Sequence, residues 1–240
     1  MSAPATPPDS ETEAIAARYA RRDAGDRYSI LRPDVWLALQ ARQRALLRLF
    51  DRLGWHDLSQ RRLVEVGCGH GANLLELLRF GFAPEHLVGL ELLPDRAAHA
   101  RHRLPAALDV RVGDASGAAI APASQDAVYA ATVFSSILDD AFQVRLAGAM
   151  WRWVKPGGGV LWYDFTVDNP RNRDVRGVPR ARIAALFPEG RVGMRRLTLA
   201  PPLGRAAARV HPALYTALDR LPPLRTHLLA WVGKPMHDHA

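Results

Sequence analysis

Residues 63 to 74, Leu-Val-Glu-Val-Gly-Cys-Gly-His-Gly-Ala-Asn-Leu, constrain the fold more than any other stretch. An apolar run that reads as a buried strand passes into three alternating glycines and then into a helix-forming segment. Gly67, Gly69 and Gly71 let the backbone turn sharply and bring a ligand against main-chain amides that no side chain shields. Gly67, Gly69 and Ala72 also satisfy the dinucleotide spacing Gly-x-Gly-x-x-Gly/Ala, so the glycines alone leave NAD or NADP open. Glu65, two residues before the first glycine, weighs against them. A carboxylate there opposes a pyrophosphate and favours a ligand that carries an ammonium and a sulfonium.

S-adenosylmethionine is such a ligand. With Glu65 in place, the segment resembles the first motif of the class I S-adenosylmethionine-dependent methyltransferases, hydrophobic-Asp/Glu-hydrophobic-Gly-x-Gly-x-Gly, and among these the type 11-like small-molecule enzymes of bacteria. Later segments follow the family order. Leu87 to Glu91 is a second apolar run ending in an acid, about twenty residues past the glycines, and a carboxylate there can accept from both hydroxyls of a ribose. Asp109 to Ala115 supplies a third strand with Asp114 just past its end, the family position for the adenine amino group; Gly113-Asp114 is equally good turn chemistry. Residues 126 to 134 give a fourth strand whose end, Thr132, Val133 and Phe134, is expected to face the cofactor. Lys155-Pro156-Gly157-Gly158-Gly159 reads as a tight turn before a fifth strand, Val160 to Phe165.

The resemblance implies an α/β fold: a Rossmann-like, doubly wound sheet of seven strands, the last antiparallel between the fifth and sixth, behind an N-terminal helical lid. It implies S-adenosylmethionine as cofactor, held by Tyr28, Glu65, Gly67, Cys68, Gly69, Gly71, Asn73, Glu91, Leu92, Asp114, Ala115, Thr132, Val133 and Phe134. Tyr28 would close over the cofactor, with Arg27 or Tyr19 nearby, although packing of these aromatics into the core fits equally well.

Helical periodicity is visible over residues 11 to 22, 34 to 53, 71 to 80, 95 to 103, 139 to 153, 178 to 187 and 211 to 221. Strand-like runs alternate with the central ones, and two more, 194 to 200 and 227 to 232, lie in the tail. This organises the chain as a disordered start (1–10), a helical lid (11–58) and a cofactor-binding domain (59–240) with substrate elements within 163–225. Of its 240 residues, 48% are hydrophobic and 23% charged, a globular balance, and the single cysteine excludes an internal disulfide. The first residues lack a signal peptide's basic start and apolar run, and no stretch of about eighteen apolar residues occurs, so a cytoplasmic protein is expected.

Between Arg171 and Val210 stand ten arginines against only Asp174 and Glu189, a surplus equal to the chain's whole net charge of +8. Arginine forks suit carboxylates and phosphates, so an acidic acceptor is one reading, a solvated surface a second, and docking to an anionic membrane through residues 201 to 221 a third. Nucleic acid is disfavoured: the Asn/Asp-Pro-Pro-aromatic sequence of DNA amino-methyltransferases is replaced at the fourth strand's end by Thr132-Val133-Phe134.

Residues 163 to 177 are expected to overhang the methyl group, with Tyr163, Asp168, Asn169, Arg171 and Arg173 as substrate contacts. The segment resembles one carried by bacterial methyltransferases of surface glycan or specialised metabolite assembly. Asp168-Asn169 resembles the magnesium-holding pair of catechol-type methyltransferases, but the third ligand's place is taken by Thr132 or Val133, so no metal is expected. Asp164 and His211 are the candidate general bases, with Asp139 and His227 behind them; His211 before Pro212 and Asp139-Asp140 also fit helix starts. The expected activity is methyl transfer to a small-molecule or glycan-like acceptor at oxygen. Alternatives are an N- or C-methyltransferase of a specialised metabolite, a nicotinamide-dependent oxidoreductase, disfavoured by Glu65 and the lack of a Tyr-x-x-x-Lys pair, and a non-catalytic S-adenosylmethionine-binding subunit.

Overall fold

The computed structural model describes residues 10–21, 25, 29–170 and 172–236. Tyr28, Arg27, Arg171 and all but the last of residues 1 to 10 lie outside these. The sheet comprises β1 (Leu63–Val66), β2 (Leu87–Glu91), β3 (Asp109–Val112), β4 (Gln125–Ala131), β5 (Val154–Phe165), β6 (Arg191–Leu199) and β7 (Arg225–Gly233), in the order β3-β2-β1-β4-β5-β7-β6. β7 runs antiparallel to both β5 and β6, so the other six strands share one direction.

Every residue of β1 is buried, because helices cover both faces of the sheet. Alternate residues feed two cores. Val64, Val66, Val128, Ala130, Val160 and Trp162 point to the face covered by α5 (Asp140–Trp153) and α6 (Arg180–Leu186). Leu63, Tyr129, Leu161 and Tyr163 point to the opposite face, against α2 (Pro33–Arg52), α3 (Ala72–Phe80) and α4 (Pro94–Arg103). In α2, Leu46, Leu49 and Phe50 are buried while Arg44, Arg48 and Arg52 take the outer face, the periodicity expected of a surface helix. At the β6 edge of the sheet, Arg191, Arg195 and Arg196 stand where charge discourages edge-to-edge pairing.

Two sequence expectations need correction. Lys155 to Gly159 is not a turn ahead of the fifth strand: β5 already begins at Val154, opposite Gln125, and the four residues 155 to 158 bulge before pairing resumes at Gly159 opposite Ala127. Lys234 accepts from the Gly157 amide (3.0 Å) and donates to the Gly158 carbonyl (2.8 Å), and Gly157 takes a φ of +79° within the bulge. The helix expected over 211 to 221 is α8 (Pro212–Asp219), and a helix not marked in the sequence, α7 (Pro201–Val210), precedes it; the two are separate because Pro212 lacks the amide that would continue α7. His211 ends α7 and caps α8.

α1 (Glu11–Ala20) crosses the carboxyl end of the sheet. The Glu11 carboxylate accepts from the Leu138 amide (2.8 Å) and from Arg18, whose guanidinium also donates to the Ser136 carbonyl at 3.1 Å. No described helix is long and apolar enough to cross a membrane.

Candidate cofactor cleft

The strand order reverses between β1 and β4, and ligands of doubly wound sheets bind outside the strand ends at that point. A cleft of about 730 Å³ opens there. Its floor is Val66 and Gly67 after β1, Leu90 to Leu93 at β2, Gly113 to Ala115 after β3 and Ala131 to Val133 after β4; Ile15 and Tyr19 of α1, with Ile137, Phe142 and Leu146, form an apolar wall.

The glycine turn is built for close approach. Gly67 and Gly69 have φ of +65° and +58°, and a Cβ on Gly67 would lie 2.8 Å from Val133 Cγ2. Any side chain there would narrow the cleft between β1 and β4. Glu91, buried at the end of β2, accepts from the Gly69 amide at 2.8 Å and from the Leu93 amide at 2.9 Å, one bond to each oxygen. A carboxylate has lone pairs for further donors, so Glu91 holds the turn and still offers acceptors to the cleft it lines. Asp114 stands exposed at the rim, accepting from the Ser116 amide at 2.8 Å; the turn role and the binding role coexist. Leu92, Ala115, Thr132 and Val133 line the cleft. Thr132 has φ +55°, and its amide is fixed by the Tyr163 carbonyl at 2.7 Å. A threonine held in this region stores roughly 1 to 3 kcal/mol, strain of the kind concentrated at working sites.

Glu65 and Asn73 meet each other beneath the turn: Asn73 Nδ2 donates to Glu65 Oε1 at 2.6 Å. Arg42 of α2 donates to Asn73 Oδ1 at 2.8 Å, pairs with Glu76 at 3.6 Å and lies 5.1 Å over the Tyr163 ring. Burial pushes Glu65 up to about 8, with the Asn73 bond and the Arg42 charge opposing it less strongly. Its Oε2 has no partner within the protein. This oxygen is a buried acceptor beside the glycine turn, while Glu65 itself does not line the cleft.

Several predicted residues stand elsewhere. Phe134 does not face the cleft; it is fully buried, its ring 4.4 Å from Trp162 in the core. Cys68 points into the opposite core under Gly89, where burial raises its thiol pKa out of the reactive range. Gly71 packs against Leu104 as the cap of α3. Tyr163 is internal, bonded to Thr198 at 2.7 Å and stacked on His227, whose pKa burial lowers to about 4. Asp164 is buried, accepting from the Ser135 amide (3.0 Å) and the Phe165 amide (2.9 Å), with burial raising it to about 7. His211 is exposed, its Nδ1 accepting from the Ala213 amide at 3.1 Å, and Asp139 caps α5 at the Phe142 amide. Asp168 accepts from the Gly177 amide at 2.7 Å, closing the loop that holds Asn169, and Arg173 is exposed. Neither Asp164 nor His211 lines the cleft.

Two residues went unnoticed in the sequence. Arg96 lines the cleft, with its guanidinium 4.7 Å from the Tyr19 ring and 2.8 Å from where a Gly69 Cβ would stand. It is the one cation among the described lining residues, and its only sequence signal is its place one turn past Glu91. Arg42 lies on α2, 25 residues before Gly67, and nothing local marks it as the buried arginine among its neighbours.

Residues 63–158 match the family model for a methyltransferase domain. Over that segment the chain resembles the class I S-adenosylmethionine-dependent methyltransferases. It is 36% identical over 110 residues to a fatty-acid O-methyltransferase of Mycolicibacterium smegmatis; the match takes in 45% of the chain and 38% of that relative. Its fold resembles an S-adenosylmethionine dependent methyltransferase from Mesorhizobium loti, with TM-score 0.56 and 16% identity over 77% of this chain and 97% of the other. It also resembles phosphoethanolamine N-methyltransferase 2 of Haemonchus contortus in complex with S-adenosyl-L-methionine, with TM-score 0.58 and 18% identity over 79% and 52%. The cofactor of the family fits the residues present: Glu91 and Asp114 as acceptors, the glycine turn for close approach, the unpartnered Glu65 oxygen for the ammonium, and the apolar wall for a flat ring.

Proposed function

We propose that the chain transfers a methyl group from S-adenosylmethionine to an oxygen of a small acceptor that is already anionic, a carboxylate of the fatty-acid kind. Bound S-adenosylmethionine supplies a methyl group made electrophilic by its sulfonium, so the protein's contribution is alignment, worth roughly 7 to 11 kcal/mol. The observation that carries the reading is the state of the acids at the cleft. Among its described lining residues there is no histidine, and the only carboxylates, Glu91 and Asp114, are tied to backbone amides. A sugar hydroxyl needs its proton removed, and a base typically contributes about 10² to 10⁴ in rate. A carboxylate needs none.

The matching stretch of a fatty-acid O-methyltransferase supports the same class. The apolar wall suits an acyl chain or the adenine, and Arg96 offers an anion partner at the cleft. In this reading α1 acts as a lid, since Ile15 and Tyr19 cover the cleft and the Glu11, Arg18 and Tyr19 side chains fasten it to residues 136 to 138.

The test pairs medium- and long-chain fatty acids with the matched alcohols, using S-adenosylmethionine labelled in its methyl group. Methyl ester from the acids and none from the alcohols is expected. Methyl ether from the alcohols alone would overturn the reading.

A further inference from the structure

Among the described residues ten large hydrophobic side chains are exposed, and five of them gather at one place. Val210 (75% exposed), Leu214 and Leu221 lie along α7, α8 and the turn that follows; Ile30 and Leu31 (87%) lead into α2. The two groups adjoin because α2 begins beside α7 and α8, where Leu37, Leu203 and Leu218 pack onto Leu199, Ala207, Ala208 and Tyr215. That packing uses the inner faces. The outer face of α8, where a surface helix normally presents charge, carries Ala213, Leu214, Thr216 and Ala217 instead.

The charge beside this face has one sign. Arg209 and Arg220 are exposed and Arg205 is half-buried. The acids at this face, Asp219 of α8 and Asp34 at the start of α2, are mostly buried and pair with Arg225 and Arg32, each at 3.4 Å. A second copy of the chain would bring these arginines towards their own kind, whereas an anionic bilayer offers hydrocarbon to the apolar side chains and phosphate to the guanidinium groups.

We propose that α7, α8 and the turn at 29–32 form a docking surface for an anionic lipid bilayer. β6 runs in the direction of β1, β2 and β4, so α7 leaves the sheet at the end where the cleft opens. A docked molecule presents that end to the lipid, and an amphiphilic acceptor enters from the bilayer. The surface is inferred from exposure and charge and stands whether or not the acceptor is a fatty acid.

The test is co-sedimentation of the full chain with vesicles of phosphatidylcholine alone or mixed with phosphatidylglycerol. Binding is expected for the mixed vesicles, weak for phosphatidylcholine, and weakened by salt. Leu214→Ser with Leu221→Ser, and separately Arg209→Gln with Arg220→Gln, should each lower the bound fraction at least about fivefold while calorimetric affinity for S-adenosylmethionine stays unchanged. Leu31→Ser, outside both helices, serves as the apolar test if the double variant loses cofactor binding. Equal binding by the variants, no binding to the mixed vesicles, or a dimer that Leu214→Ser with Leu221→Ser dissolves would overturn the proposal.

Discussion

The Glu91 carboxylate at the end of β2 accepts the Gly69 amide at 2.8 Å, joining the acid of the second strand to the glycine turn of the first. The bond links two motifs 22 residues apart in sequence and leaves the remaining lone pairs of Glu91 on the cleft side. Shape of the turn and recognition of the ligand therefore share one side chain.

Glu91→Ala should weaken S-adenosylmethionine binding by about 1.5 to 3 kcal/mol, the worth of hydrogen bonds to a charged group, and should lower the melting temperature because the Gly69 and Leu93 amides lose their acceptor. Calorimetry and thermal melting read the two effects separately. Undiminished affinity in a folded variant would remove Glu91 from recognition.

Glu65 makes stability and binding depend on pH. Burial raises it from 4.5 to about 8, so between these values the cofactor-free fold holds a proton that the unfolded chain has released, and stability falls as pH rises. Asp164, raised from 3.8 to about 7, acts in the same direction over a lower window. The melting temperature should decline between about pH 4 and 8, and Glu65→Gln should flatten the upper part of that decline. A ligand cation at Glu65 restores its ionised form, so binding at about pH 6.5 should release close to one proton, read by calorimetry in buffers of different ionisation enthalpy. Binding with no proton release would place the ammonium elsewhere.

The glycines of the turn differ in what surrounds them. Both Gly67→Ala and Gly69→Ala incur the left-handed backbone cost of roughly 1 kcal/mol. At Gly67 the new methyl meets Val133 on a strand end, whereas at Gly69 it meets the tip of Arg96, which can swing away. Gly67→Ala should therefore be the more damaging to both stability and cofactor affinity. The reverse order in paired melts and titrations would contradict the geometry.

Asp164→Asn tests whether a base is used. Asparagine cannot accept from both the Ser135 and Phe165 amides as the carboxylate does, so a loss of about 1 to 3 kcal/mol in stability is expected. At saturating acceptor kcat should fall by less than about tenfold, well short of what a missing base costs. A thousandfold loss in the folded variant would make Asp164 the base.

The fold was readable because its signals are local and repeat: apolar runs, a glycine turn and acids at strand ends, in an order that leaves few topologies. The antiparallel β7 came only through family resemblance, since periodicity carries no strand order. Cleft residues on the strand-end loops, such as Glu91, Leu92, Asp114 and Val133, were readable for the same reason. Phe134 shows the limit: one residue past Val133, it turns into the core to meet Trp162. Arg42 and Arg96 were hidden because their roles depend on helix packing across the sheet. Asp164 and His211 read as bases by residue type, while their backbone partners become visible only in three dimensions.

Titration calorimetry of the purified protein with S-adenosylmethionine and S-adenosylhomocysteine, with NADPH as control, tests the central claim most directly. The cleft lined by Gly67 and Glu91, with Glu65 buried beside its glycine turn, predicts micromolar binding of the first two and none of NADPH. Binding of NADPH alone would contradict the reading of Glu65 and the methyl transfer that rests on it.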